Sequence, residues 1–132
     1  MAKVDYLKKE MNMNFDEAVK KIETVLEEEG FGLFLTKSVS DIFKKKFEID
    51  YPEYTIILAC KAPFAKGALD VSKNMGLLFP CSFVVYEEDG KVMVSHISIM
   101  KIGPAIGLAP ADEMQPVIEM TGKGVHAVWE KL

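Results

Sequence analysis

The sequence has no uninterrupted apolar run approaching bilayer length, so no membrane partner is expected. It opens Met1-Ala2-Lys3-Val4-Asp5-Tyr6, with charge where a secretory leader needs an apolar core, and the expectation is a cytoplasmic protein. Basic blocks are also missing. The densest run, Lys44-Lys45-Lys46, splays around a helix, and the net charge is -4, so nucleic-acid binding lacks its electrostatic footprint. Cysteine is scarce: Cys60 and Cys81 show no Cys-x-x-Cys and no zinc-finger or zinc-ribbon spacing, which suits free thiols in a reducing compartment. Thr121-Gly122-Lys123-Gly124 shares only composition with a phosphate cradle, because the preceding strand and the longer glycine-to-lysine spacing are absent. No catalytic or cofactor motif is present, and the cofactor is left unassigned. No linker or repeat divides the chain.

What is present builds one domain over residues 1–132. A hydrophobic fraction of 49% and a charged fraction of 27% supply a core without disulfide or metal staples. The strongest local signal is Leu77 to Glu87 answered by Lys91 to Ile99, with Asp89-Gly90 between them as turn residues that accept left-handed backbone angles. Tyr6 to Met13 alternates as an edge strand whose lysines discourage pairing. Asn14, with Glu17 as its box partner, caps a helix whose apolar face is Phe15, Ala18, Val19, Ile22, Val25 and Leu26, and Gly30 ends it. A strand over Phe31–Lys37 follows. Ser38 or Ser40 caps a short helix through Phe47, ended by Asp50-Tyr51-Pro52.

Tyr54–Cys60 reads as a central strand, and Pro63 opens a helix that stops near Asn74 and Gly76. Met100 to Ala111 is expected to be an apolar loop, packed down or used in a dimer contact. A last helix is expected from Asp112, with Gln115 as box partner; Gly122 and Gly124 inside it suggest either close approach of another backbone or a break. The pattern predicts an α+β fold: a single antiparallel or mixed sheet of about five strands with helices mainly on one face.

Phe15-Asp16-Glu17-Ala18-Val19, Glu29-Gly30-Phe31-Gly32, Ala59-Cys60-Lys61-Ala62-Pro63, and above all Gly76 to Cys81 with Val84-Val85-Tyr86-Glu87 resemble the domain of unknown function 302 family, over nearly the whole chain. The resemblance implies a small α+β domain with a TATA-binding-protein-like layout, often a homodimer, and no established catalysis. Met100 to Pro110 is less typical of that pattern. Function belongs to sites and not to folds, so the layout implies no DNA binding.

The candidate site residues are Cys60, Pro63, Pro80 and Cys81, where strand ends meet a helix N-terminus able to receive a small molecule or an anion. The first reading is a non-enzymatic homodimer that binds a small ligand or partner there. The alternative is a redox or sulfur-transfer enzyme using Cys60 or Cys81 as nucleophile, its pKa lowered by the helix, with His96 as base. The plain alternative is two buried small hydrophobes and a satisfied histidine. A third reading is a dimer formed through Ile102–Leu108 or an edge strand. Met11, Met13, Met93, Met100 and Met114 read as core filler, and His126 as exposed. Glu27-Glu28-Glu29 and Glu87-Glu88-Asp89 read as solubilising charge at element ends, with no carboxylates shown to share a cleft.

Overall fold

The structure is a computed structural model and describes residues 5–132. The leader reading rests on a stretch whose first four residues lie outside the described residues. Five strands form one fully antiparallel sheet: β1 (Tyr6–Glu10), β2 (Gly32–Ser38), β3 (Tyr54–Cys60), β4 (Cys81–Glu88) and β5 (Lys91–Ile97), in the spatial order β1-β5-β4-β3-β2. The helices are α1 (Phe15–Glu28), α2 (Val39–Phe47), α3 (Ala62–Val71), α4 (Ile99–Ala105) and α5 (Ala111–Glu130), with a 3-10 turn over Lys73–Leu78. The α+β expectation holds.

The pleat divides the sheet into unlike faces. Thr55, Ile57, Ala59, Phe83, Val85, Val94 and His96 are buried toward the helices. Against them pack Ala18, Ile22 and Leu26 of α1, Phe64 and Ala68 of α3, and Met114, Val117 and Val128 of α5. Tyr54, Ile56, Val84, Tyr86, Met93 and Ile97 point the other way and stand outside the core, so one apolar face has no helix over it.

Local chemistry explains most boundaries. Asn14 accepts from the Glu17 amide at 2.9 Å, the expected N-cap, while the Glu17 carboxylate accepts from the Asn14 side-chain amide in place of the backbone N–H that a full box would use. α1 closes with Gly30 at φ +86° while the Phe31 amide reaches back to the Leu26 carbonyl, as a left-handed cap requires. In the hairpin, Asp89 and Gly90 both take positive φ, at 53° and 75°, which matches the twist of the flanking strands. Two helices that lack basic residues in their last turns borrow lysines from elsewhere. Lys9 of β1 donates to the Trp129 carbonyl at 2.7 Å, and Lys61 to the Glu29 carbonyl at 2.9 Å.

Several expectations are corrected. The first strand stops at Glu10, because Met11 buries and Met13 turns back onto its carbonyl. α2 ends at Phe47 through Glu48 in the left-handed region, before Asp50-Tyr51-Pro52 is reached. Leu77 and Leu78 belong to the 3-10 turn, and β4 starts only at Cys81. Met100 to Ala111 packs down as expected but is loop only over 106–110: Ser98 caps α4, Gly103 packs against Met75, and the Leu108 amide closes the end on the Gly103 carbonyl. Pro104 is tolerated one residue before that helix ends. α5 begins at Ala111 without a side-chain cap, Gln115 bonds Glu119 instead of an N-cap, and neither Gly122 nor Gly124 breaks the helix.

Candidate functional site

The register pairs Ala59 with Cys81, so the two cysteines finish on neighbouring strands at one end of the sheet. Strand alternation sends Cys81 to the helix-covered face with Ala59, and Cys60 closes β3 beside it. Both line a crevice with Phe64, Phe79, Pro80 and Met100 of only about 10 Å³, room for about one water. Pro63 is exposed in the first turn of α3 and does not line this crevice. Both thiols are free. Burial pushes the Cys81 thiol up to about 11, reinforced by neighbouring Cys60, and burial also raises Cys60. The expected lowering by the α3 N-terminus is not found: both thiols are raised, chiefly by desolvation. Lys61 does not offset it, since its ammonium lies over the Phe31 and Phe64 rings at 5.7 and 5.1 Å and bonds the Glu29 carbonyl.

A larger hollow begins on the other side of Cys81. It encloses about 310 Å³ where the ends of β1, β4 and β5 meet the start of α4 and the outer half of α5. Phe31, Phe64, Met100, Val125 and Trp129 give it apolar walls, and Cys81 and His96 share its sheet side. His96 stands opposite Phe83, two residues along β4 from Cys81 and on the same face, so the expected neighbourhood exists. The imidazole stacks on Phe83 at 4.1 Å between centroids. Its Nδ1 donates to the Ser82 carbonyl at 2.8 Å; a carbonyl only accepts, which leaves Nε2 as the acceptor. Burial lowers the His96 pKa against the opposing pull of that hydrogen bond, so the ring is neutral at neutral pH.

α5 shapes the opposite wall through its glycines. A Cβ at Gly124 would overlap the Phe64 ring, whereas one at Gly122, which borders the hollow, meets nothing within 4 Å. Close approach of the Phe64 side chain, and not of another backbone or a break, is therefore the reason for Gly124. Phe31, Met100, Thr121 and Trp129 escape sequence reasoning as site residues, because each satisfies an ordinary apolar or helical pattern. His126 is exposed and joins them only at the rim.

Comparison with the curated proteins finds no match. Among solved structures, the crystal structure of an uncharacterized conserved protein DUF302 from Bacillus stearothermophilus is similar, with 20% sequence identity over 96% of each chain and a TM-score of 0.84. That likeness establishes the fold. The model of the domain of unknown function DUF302 matches residues 7–132, and the chain accordingly belongs to the DUF302 family.

Proposed function

We propose that the protein binds a small, largely apolar molecule in the hollow beside Cys81 and does not transform it. The observation that carries this reading is His96: a buried, neutral imidazole, oriented by the Ser82 carbonyl, that borders an apolar hollow with one acceptor nitrogen to offer. A volume of about 310 Å³ suits a compact ligand whose single donor group meets Nε2. The ligand site thus keeps Cys81 from the sequence reading, adds His96, and moves away from Cys60, Pro63 and Pro80.

The thiol-enzyme alternative has one observation in its favour, that Cys81 and His96 border the same hollow. Against it, a thiol held near 11 is almost wholly protonated at neutral pH, and a histidine with a lowered pKa is a weak base.

Trp129 is the sole tryptophan and lines the hollow, so its fluorescence reports occupancy. Anilinonaphthalene sulfonate, used as an apolar probe, is expected to gain emission on the folded protein and to quench Trp129. Gly122→Phe should fill the space and reduce probe affinity at least tenfold. Equal binding by the variant would defeat the reading.

With this site we infer a homodimer. Among the described residues, Phe34 and Leu35 of edge strand β2 are 65% and 50% exposed. In the alternative contact, Leu108 packs on the core and only Ile106 projects strongly, at 62%. The register shift between Leu33 and Leu35 disturbs further strand pairing, so this contact is one of side chains.

A further inference from the structure

We propose that the narrow crevice where β3 ends and β4 begins is a second site, distinct from the apolar hollow, in which Cys60, Cys81 and Met100 hold one soft monovalent metal ion, copper(I). Read from the sequence alone, the cysteines match no zinc spacing and Met100 is core filler. The fold brings the three together. The pairing of Ala59 with Cys81 sets the two cysteines on neighbouring strands, and the first turn of α4 carries Met100 to the same crevice.

Three observations select the ion. First, at about 10 Å³ the crevice takes one guest the size of a water and excludes an organic molecule. Second, the donors are soft. No group of three His, Cys, Asp or Glu residues among those described converges well enough to hold a metal ion, so the third donor beside the two thiols is a thioether. Copper(I) accepts that set, magnesium and calcium do not, and zinc would lack the four nitrogen or sulfur donors of a closed site. Third, a countercharge is in place. Two thiolates around a monovalent ion leave one negative charge, and Lys61 lines the same crevice. Its ammonium is held by the Glu29 carbonyl and the faces of Phe31 and Phe64, and no carboxylate pairs with it among the described residues. A cation kept beside two cysteines without an anion of its own suits a bis-thiolate centre.

Loading is an exchange of protons for the ion, with no change of oxidation state. Each Sγ gives its proton to water as its bond to copper forms, so the single positive charge of the ion becomes a single negative charge on the centre while two protons leave. Burial and mutual repulsion keep the thiols protonated until the ion arrives, and the ion then removes the repulsion between them. Affinity therefore rises with pH. The site does not depend on what occupies the hollow, although Cys81 and Met100 border both.

Anaerobic titration of the reduced full chain with copper(I), against bicinchoninate as competitor, tests this. One equivalent is expected to bind, with ultraviolet thiolate-to-copper absorption and the release of two protons. Cys60→Ser and Cys81→Ser should each weaken binding by about a hundredfold or more, and Met100→Leu, which keeps the volume but not the thioether, by about tenfold. Cys60 borders the crevice and not the hollow, so Cys60→Ser should spare the binding of anilinonaphthalene sulfonate, while Gly122→Phe should spare copper. Failure at either site is thus distinguishable. Equal copper binding by the chain carrying both serines would overturn the proposal in favour of adventitious uptake elsewhere. Binding indifferent to Met100→Leu would overturn the three-sulfur assignment. Ready conversion of both thiols to a disulfide, with no copper taken up by the reduced chain, would overturn it in favour of a redox pair. Circular dichroism of each variant establishes that it has folded.

Discussion

His96 shows how one side chain ties folding to the site. It is 5% exposed and stacked on Phe83, and burial lowers its pKa, so the unfolded chain takes up a proton at a higher pH than the folded one. The stability it contributes is complete above the ordinary imidazole pKa of about 6.5 and is lost as pH falls from there toward the folded value. His96→Phe keeps a ring against Phe83 but cannot protonate. Urea midpoints measured at pH 7.5 and pH 5 should fall for the wild type and change much less for the variant; parallel losses would show that other groups govern the acid limb. Cys81 acts at the other end of the scale: its raised pKa makes burial of the thiol a cost as pH climbs from about 9 toward 11, where the unfolded chain ionises first.

Among the elements, α5 carries the sharpest contrast. Gly122 and Gly124 lie two residues apart in one helix, yet added Cβ atoms meet open space at the first and the Phe64 ring at the second. Gly122→Ala should stabilise by about 0.5–1 kcal/mol through helix propensity. Gly124→Ala gains the same propensity and loses more to overpacking, typically about 1–3 kcal/mol. Opposite shifts in denaturant midpoint are thus expected, and a shared sign would contradict the packing of α5 on α3. The termini of α1 and α5 depend on the same long-range logic, since Lys61 and Lys9 reach their last carbonyls from other elements.

Across the whole molecule, the sheet keeps a helix-covered face that borders the apolar hollow and an opposite face that carries the stacked Tyr54 and Tyr86. The proposed self-association uses edge strand β2, where Phe34 and Leu35 are exposed. Light scattering is expected to give about twice the chain mass of 14.8 kDa, and Phe34→Glu with Leu35→Lys should return a folded monomer. A wild-type monomer at about 100 µM would defeat the dimer, because interfaces of ordinary size persist at that concentration.

Local rules sufficed wherever neighbours in sequence are neighbours in space. Asn14 with Glu17, Gly30, and Asp89-Gly90 are visible from residue chemistry alone, and strand and helix periodicity is enough to identify an α+β domain. The first half of Met100 to Ala111 misled, because Gly103-Pro104 reads as loop while Ser98 and the packing of Gly103 on Met75 make the chain helical as far as Ala105. The joining of Cys81 and His96 in one hollow, and the meeting of Cys60 and Cys81 at one narrow crevice, were settled only by strand register and by which helix covers which face. A strand's pattern fixes that its side chains alternate; the partner across the sheet fixes what each of them meets.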